Sequence, residues 1–367
     1  MQIKELGEFG LIHHLTDDIT PSQASTIKGV GDDCAIIRSN VKEGEKGIDM
    51  LVTTDMLLEG IHFDLTYVPL KHLGYKAIMV NLSDVYAMGG MPRQVTVSLG
   101  ISKRFEVEDI EELYSGMRLA CSEHEVDIVG GDTCSSLTGL TISITCIGEV
   151  EQGKAILRSG AKDTDLICVS GDLGAAYMGL QLLEREKTVW EAQYREAQAK
   201  ANASGTVLAP EALQAESSHE AFEGREYLLE RQLKPEARRD IILKLREAGI
   251  VPTSMMDISD GLSSELMHIC KMSDCGCRIY EERIPIDYQT AVAAEEFNMN
   301  LTTCALNGGE DYELLFTVPL ADHDKIEKLE GVKLIGHITK AELGKRLVTR
   351  DGNEFDLRAQ GWEALKD

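Results

Sequence analysis

Six short acidic clusters, each set among Gly, Ser or Thr, restrict the folds and functions that this chain can have. Most of them follow an apolar or strand-like run, where an α/β protein places side chains that converge on a ligand. Carboxylates that meet in space repel one another, and hard cations such as Mg²⁺ usually offset that repulsion. The clusters are Gly31-Asp32-Asp33, Thr53-Thr54-Asp55, Asn81-Leu82-Ser83-Asp84, Gly130-Gly131-Asp132-Thr133, Asp257-Ile258-Ser259-Asp260-Gly261 and Gly308-Gly309-Glu310-Asp311. Together they predict a polynuclear Mg²⁺ site that holds a nucleotide.

Each cluster taken alone has a simpler explanation. Asp-Gly and Gly-Asp pairs form turns, because Gly tolerates positive φ and Asp accepts hydrogen bonds from backbone N–H groups. Asp260-Gly261 could simply cap the helix that follows it. Repetition of the same arrangement six times favours the shared site. The sequence contains no Walker pattern, so a phosphate-handling function would have to use metals more than a lysine cradle.

Length and charge restrict the classes of partner. A chain of 367 residues is long enough for two domains or one large one. Its 37 basic and 62 acidic residues give a net charge of −25, which repels nucleic acid and anionic membranes. The nine cysteines contain no CxxC pair and indicate reduced thiols. Neither a signal peptide nor a membrane-spanning run is expected, so we expect a soluble, cytoplasmic protein.

Strand-like and helix-like runs alternate along both halves of the chain. Apolar residues spaced by three or four predict amphipathic helices over Val107–Cys121 and Ile258–Ile269. The predicted strands are Met50–Thr54, Val95–Ile101, Leu140–Gly148, Asp165–Ser170, Glu313–Val318 and Lys333–Thr339. The pattern predicts an α/β protein of the α+β type, with mixed or antiparallel sheets covered by helices. We place a domain boundary at Arg158, giving domains 1–157 and 158–367, with a surface excursion at 184–230.

Seven stretches of the chain, in order, match one known family. They are Gly29–Ala35, Thr53–Phe63, Gly74–Gly89, Val129–Thr133, Arg158–Ala161, Met256–Leu262 and Gly308–Leu314. These stretches resemble the thiamine-monophosphate kinases, which belong to the superfamily of aminoimidazole ribonucleotide synthetase. The segments Gly-Ile-His-Phe and Gly-Gly-Glu-Asp-Tyr-Glu-Leu are the most specific to this kinase family.

The resemblance implies an activity and an assembly. The activity is ATP-dependent phosphorylation of thiamine monophosphate to thiamine diphosphate, the last step of thiamine diphosphate biosynthesis, assisted by several Mg²⁺ ions. The fold implied has two domains, the first of which binds ATP and Mg²⁺ and mediates dimerisation. The N-terminal sheets of two subunits would pair into a barrel across the interface of a homodimer. ATP and thiamine monophosphate are the partners implied.

The resemblance also implies roles for individual residues. The implied metal ligands are Asp32, Thr53, Thr54, Asp55, Asp84, Asp132, Asp257 and Asp260. The implied ATP contacts are Tyr114, Gly131, Asp132, Arg158 and Ser259, and the implied acceptor contacts are His62, Glu310 and Trp362. Among these, Asp55, Asp132, Arg158 and Asp260 are expected to be catalytic.

Two other functions stay open on the residues alone. One is another ATP-using enzyme of the superfamily, such as a selenophosphate synthetase, an aminoimidazole ribonucleotide synthetase or a hydrogenase maturation factor. The first of these would need a reactive Cys near the N-terminus and the last a C-terminal Cys tail. The other function is a catalytically silent nucleotide-binding regulator that uses the excursion as a partner surface. An intact set of acidic residues argues against the silent protein.

Overall fold

The structure is a computed structural model that describes residues 10–12, 14–16, 19, 22–39, 47–204 and 222–359. Trp362, an expected acceptor contact, lies outside these ranges, and its role stays a prediction. Among the described helices, none combines the length and apolar character needed to cross a bilayer.

The N-terminal half forms a six-stranded sheet that carries helices on one face. Its strands are β1 (Thr26–Lys28), β2 (Ala35–Arg38), β3 (Ile48–Leu58), β4 (Met91–Ile101), β5 (Asp127–Ser135) and β6 (Thr141–Glu151), in the order β1-β2-β3-β6-β4-β5. Strands β4 and β5 are parallel, and the other described neighbours are antiparallel. Along β6, Ile142, Ile144 and Cys146 are buried while Ser143 and Thr145 are partly exposed. This alternation is typical of a sheet with one covered face.

Two helices cover the inner face of this sheet. They are α1 (Leu70–Ala87), which contacts β3, β4 and β6, and α2 (Val107–His124), which packs on α1. Two glycines set the close approach of the helices. A Cβ on Gly74 would lie 1.9 Å from the carbonyl oxygen of Leu113, and one on Gly116 would lie 1.8 Å from that of Lys71. Because larger side chains would separate the helices, this contact fixes the position of α1 and of the acidic cluster near its C-terminal end.

The C-terminal half forms a seven-stranded mixed sheet. Its strands are β7 (Leu166–Ser170), β8 (Ser254–Asp257), β9 (Cys275–Tyr280), β10 (Leu314–Val318), β11 (Val332–Lys340), β12 (Lys345–Val348) and β13 (Glu354–Asp356), in the order β13-β12-β9-β11-β7-β10-β8. Its helices are α3 (Ala175–Ser204), α4 (Glu226–Leu233), α5 (Arg239–Glu247), α6 (Leu262–Met272), α7 (Tyr288–Glu296), α8 (Leu301–Asn307) and α9 (His323–Ile326). Strands β7 and β10 are buried along their whole length, so they form the centre of this half.

The two halves share one apolar core. Leu51 and Ile78 from the N-terminal half belong to the same buried cluster as Met255 and Phe316 from the C-terminal half. A second buried cluster around Leu262 lies within the C-terminal half. The predicted boundary at Arg158 falls in the connection between β6 and β7, and the division of labour between the two domains stays a proposal.

The structure confirms the predicted mixed sheets covered by helices and contains all six predicted strands.

Three details of the structure differ from the prediction. Residues 53–55 lie inside β3 rather than beyond its end, because β3 pairs with β6 as far as Leu58. The helix predicted from Ile258 begins only at Leu262, because Asp257 ends β8 and the chain must turn first. Residues 184–204 continue α3, and Leu228 is buried, so the 184–230 segment is not wholly at the surface.

Candidate metal and phosphate site

Three aspartates from separate elements meet at a cavity between the two halves. Asp33 precedes β2, Asp84 lies on α1 and Asp257 ends β8. One oxygen atom from each carboxylate lies within 4.8 Å of the others. The distance suits oxygens that share a cation, since each would then lie close to 2 Å from the same Mg²⁺ ion. We call these three residues the carboxylate trio.

Hydroxyl groups hold the carboxylate trio in place. Ser83 Oγ donates a hydrogen bond of 2.5 Å to Asp257 Oδ2, which joins α1 to β8. Thr53 Oγ1 donates a bond of the same length to Asp84 Oδ2, which joins β3 to α1. The Ser and Thr residues of the acidic clusters therefore orient carboxylates across elements.

Burial makes these carboxylates costly in their ionised form. It raises the pKa of Asp33 to about 7 despite an opposing effect of Arg158, and the pKa of Asp55 and of Asp257 to about 6. Burial and the charges of its neighbours also place the pKa of Asp84 well above its usual range. Asp33 Oδ2 is buried and accepts no hydrogen bond from the described residues. A hard cation would supply both the missing partner and the missing positive charge, so the residues present fit Mg²⁺.

Arg158 is the basic residue attached to the carboxylate trio. Its Nη2 and Nε donate to Asp33 Oδ1 at 2.7 and 3.3 Å, and its backbone N–H donates to Asp32 Oδ1 at 3.1 Å. Asp32 is also paired with Lys28. Because these contacts turn Asp32 away, the structure brings Asp33 into the group where the sequence predicted Asp32.

The cavity has a volume of about 850 Å³, and much of the predicted site lines it. The predicted residues in its wall are Thr53, Thr54, Asp55, His62, Asp84, Arg158, Asp257, Ser259, Asp260 and Glu310. His62 Nδ1 accepts a hydrogen bond of 3.0 Å from the backbone N–H of Leu58, which orients its ring after the end of β3. One cavity therefore gathers side chains that the resemblance assigns to metals, nucleotide and acceptor.

The fifth and sixth acidic clusters pack backbone to backbone. The backbone N–H of Glu310 donates to the carbonyl oxygen of Ser259 at 2.7 Å. Gly309 has a φ of 72°, and a Cβ there would lie 2.6 Å from that same oxygen. Glu310 and Tyr312 adopt φ values of 58° and 51°, a left-handed conformation that is strained for residues with side chains. This packing brings Glu310 and Asp260 to one wall of the cavity.

Several cavity residues were missed by sequence reasoning. Lys76 is only 5% exposed, and its Nζ lies 2.9 Å from Glu310 Oε1. Glu184 accepts a hydrogen bond of 2.6 Å from Tyr67 Oη, and Lys187 lines the same wall. Lys76 falls within a matched stretch and could have been considered there. Glu184 and Lys187 lie in the 184–230 segment, where no motif marks them.

Three predicted nucleotide contacts lie away from the cavity in this single chain. Gly131 and Asp132 are exposed on β5, an edge strand of the N-terminal sheet. Tyr114 is partly buried on α2 and neighbours Arg118 in a separate surface depression. These three placements do not join the carboxylate trio, and the roles of the residues stay predictions.

Comparison with known proteins defines the class of this chain. A family model described as AIR synthase related protein, N-terminal domain, matches residues 31–150. The thiamine-monophosphate kinase of Aquifex aeolicus (strain VF5) is 34% identical over 92% of this chain and 96% of its own length. That of Bacillus subtilis (strain 168) is 31% identical over 98% of this chain and 100% of its own. The solved structure of AaThiL complexed with AMPPCP and TMP superposes with a TM-score of 0.77 at 32% identity, covering 99% of this chain and 98% of that one.

The fold is that of the AIR synthase-related proteins, with two α/β domains of mixed sheets and helices. Within that class, the chain belongs to the thiamine-monophosphate kinase family. The resemblance predicted from the sequence motifs is confirmed.

Proposed function

We propose that this chain transfers the γ-phosphoryl group of ATP to thiamine monophosphate, forming thiamine diphosphate in the last step of its biosynthesis. The observation that carries the proposal is the carboxylate trio facing one large cavity. Membership of the family supports the choice of substrates, as does the likeness to AaThiL complexed with AMPPCP and TMP. The alternatives from the wider superfamily lose support for the same reason.

The proposed metal site centres on the carboxylate trio. Asp33, Asp84 and Asp257 would hold Mg²⁺, with Asp55 and Asp260 close by in the same cavity. The expected ligands Thr53 and Thr54 lie beside them, whereas Asp32 and Asp132 would require other contacts. Bound Mg²⁺ supplies charge neutralisation and alignment of the phosphates.

The acceptor determines what the protein side chains must do. A phosphate oxygen of thiamine monophosphate is already ionised at neutral pH, so no general base is required. The barrier instead comes from bringing two anions together in line. Arg158 lines the cavity with its guanidinium beside Asp33, where it can donate to a phosphate. His62 and Glu310 line the same cavity and would orient the acceptor.

We infer that two copies of the chain assemble through β5. This strand is one of the two edges of the N-terminal sheet and is exposed along nearly all of its length, and Val129 on it is 57% exposed. Apolar residues on an open strand edge favour pairing with another chain. A barrel formed by two such sheets would give Gly131 and Asp132 a covered environment, and domain 1–157 would then combine dimerisation with ATP and Mg²⁺ binding.

A product assay tests the proposed function. Purified chain is incubated with ATP, MgCl₂ and thiamine monophosphate, and products are separated by chromatography. We expect thiamine diphosphate and ADP in equal amounts. Absence of thiamine diphosphate under conditions where ATP binds would contradict the proposal. Direct in-line transfer also predicts inversion at a chiral γ-phosphorus, and retention would indicate a phosphoenzyme instead.

A further inference from the structure

A buried ionic network lies next to the cavity and shares no residue with the carboxylate trio. Glu313 has a side chain with no exposed surface and is held by two arginines. Arg231 Nη1 donates to Glu313 Oε1 at 2.9 Å, and Arg238 Nη1 donates to Glu313 Oε2 at 2.5 Å. Ser170 Oγ also donates to Glu313 Oε2. A carboxylate with this many charge-assisted partners is fixed more firmly than the surface ion pairs of this protein.

Residues 308–313, which we call the acceptor segment, present alternate side chains to opposite sides. Glu310 and Tyr312 line the cavity. Asp311 and Glu313 point to the buried network, where Asp311 Oδ2 accepts from the backbone N–H of Gly174 at 2.9 Å. Because Glu310 and Tyr312 have positive φ values, their strained conformation depends on the contacts around the segment, and those of Asp311 and Glu313 on the buried side add to the backbone hydrogen bonds to Ile258 and Ser259.

Helix α4 contacts the acceptor segment on both of these sides. Arg231 binds Glu313 and also donates through Nη2 to the carbonyl oxygens of Asp172 and Asp311, at 3.0 and 3.4 Å. The next residue, Gln232, donates from Nε2 to Glu310 Oε2 at 2.7 Å. Two neighbouring residues of one helix therefore hold the buried carboxylate and the cavity carboxylate at once.

We propose that Arg231 is a positioning residue that sets the cavity-facing conformation of Glu310 through Glu313 and the backbone of Asp311. The inference rests on the proposed function, because it takes Glu310 as a contact of the phosphate acceptor. The positioning role at residue 231 requires arginine. A planar guanidinium can reach a carboxylate and two carbonyl oxygens together, whereas the single ammonium group of lysine cannot hold the same geometry.

The position of Glu313 leaves little room for adjustment. A Cβ on Gly171 would lie 2.1 Å from Glu313 Oε1, so the backbone of residue 171 closes the space beside the carboxylate. Loss of Arg231 would leave Arg238 as the remaining cation of the pair and would free the carbonyl of Asp311. The acceptor segment would then populate other conformations while the carboxylate trio kept its own hydrogen bonds from Ser83 and Thr53.

Kinetics of variants in the full chain test this proposal. Arg231→Met should raise the KM for thiamine monophosphate about tenfold and leave the KM for ATP within about twofold. Arg231→Lys should raise the KM for thiamine monophosphate less than Arg231→Met does, because lysine restores the positive charge but not the planar guanidinium. In a Glu310→Gln background, Arg231→Met should add less than about twofold, since coupled residues do not have additive effects. The same factor in both backgrounds would overturn the proposal.

Arg246→Met is the control. Arg246 is an exposed arginine that, like Arg231, binds a backbone carbonyl, donating from Nη2 to Gly89 at 2.6 Å, and it lies outside the cavity. Its replacement should lower the melting temperature without changing either KM. If Arg231→Met gave only that behaviour, its role would be structural and the proposal would be wrong. If Arg231→Met does not fold, Arg231→Lys in the two backgrounds decides the same question.

Hydrogen exchange separates this proposal from the proposed function. Wild-type protein that makes no thiamine diphosphate would contradict the function, but amide exchange of residues 308–314 can still be measured. Faster exchange there in Arg231→Lys than in Arg246→Met would support the positioning role. Equal exchange in the two variants would overturn it.

Discussion

Asp33 shows how little positive charge the protein itself supplies to the carboxylate trio. Its carboxylate is paired with Arg158, yet burial still raises its pKa to about 7. Asp84 and Asp257 accept hydrogen bonds from hydroxyl groups, which stabilise an ionised carboxylate less than a cation does. The full charge of the trio is therefore better accommodated when a divalent cation is present.

Replacement of Asp257 tests its assignment as a metal ligand. Asp257→Asn should lower kcat by about 100-fold or more and raise the Mg²⁺ concentration for half-maximal rate at least about tenfold. Both quantities come from a Mg²⁺ titration of the initial rate. Asp49→Asn is the control, because Asp49 is equally buried but is paired with Arg38 on the same sheet. A normal Mg²⁺ response in Asp257→Asn would remove this residue from the metal site.

Replacement of His62 tests its assignment as an acceptor contact. His62→Ala should raise the KM for thiamine monophosphate several-fold more than the KM for ATP, because the ring lines the cavity and the resemblance assigns it to the acceptor. His337→Ala, a change in β11 outside the cavity, should leave both constants unaltered. Equal increases for the two substrates in His62→Ala would assign the histidine elsewhere.

At the residue scale, the sequence identified acidic clusters better than individual ligands. It predicted Asp32, but Lys28 and the backbone N–H of Arg158 hold that side chain, and Asp33 joins the trio. Two adjacent aspartates carry no sequence signal that distinguishes their directions. Lys76 was missed because a lysine in an apolar helix has no characteristic spacing, and only the fold shows its contact with Glu310.

Asp311, in the acceptor segment, should make the stability of the protein depend on pH. Burial raises the pKa of Asp311 from 3.8 to about 7, although Arg231 acts in the opposite direction. The folded state thus retains a proton that the unfolded chain has already released. The stability that this proton contributes is fully present below about pH 3.8 and is lost as the pH rises through about 7.

Asp311→Asn removes this dependence, because the amide does not ionise. The free energy of unfolding of the variant, relative to wild type, should rise by roughly 1–4 kcal/mol between pH 4 and pH 8. Urea denaturation across that range measures the difference. Asp351→Asn, on an exposed turn, should show a constant difference. A constant difference for Asp311→Asn as well would mean that Asp311 ionises in the folded protein as it does in the unfolded chain.

At the element scale, apolar periodicity located the central strands β7 and β10 but missed the buried strands β8 and β9 and the exposed strand β5. Strands β7 and β10 are continuous apolar runs buried in the sheet, and both were predicted. Strand β5 contains Gly130 and Gly131 and is exposed along nearly all of its length, so it lacks the alternation that burial imposes. Its assignment needed the pairing with β4, which is a long-range contact.

At the scale of the whole molecule, the proposed dimer predicts that a charge on β5 will separate the two subunits. Val129→Asp should shift sedimentation from dimer to monomer and lower the activity, because a charge would be buried at the β5 interface. Val251→Asp is a matched control, since Val251 is 71% exposed and lies away from β5. An unchanged dimer in Val129→Asp would move the interface to another surface.

At this scale the repetition of motifs was more informative than composition. The acidic clusters came from distant parts of the chain, and their repetition predicted that several would share one site; Thr53, Asp84, Asp257 and Glu310 line one cavity. The contribution of α3 to the wall could not be predicted, because Glu184 and Lys187 lie in a segment without a matching motif. Their place depends on how α3 packs, which periodicity does not determine.

Anomalous diffraction from crystals grown with Mn²⁺, AMPPCP and thiamine monophosphate tests the central claim most directly. Mn²⁺ prefers the same oxygen ligands as Mg²⁺ and can be located without ambiguity. We expect at least one Mn²⁺ peak about 2.0–2.2 Å from oxygens of Asp33, Asp84 and Asp257, with phosphate oxygens completing its shell. Mn²⁺ bound only elsewhere, with both ligands in the cavity, would contradict the assignment of the carboxylate trio as the metal site.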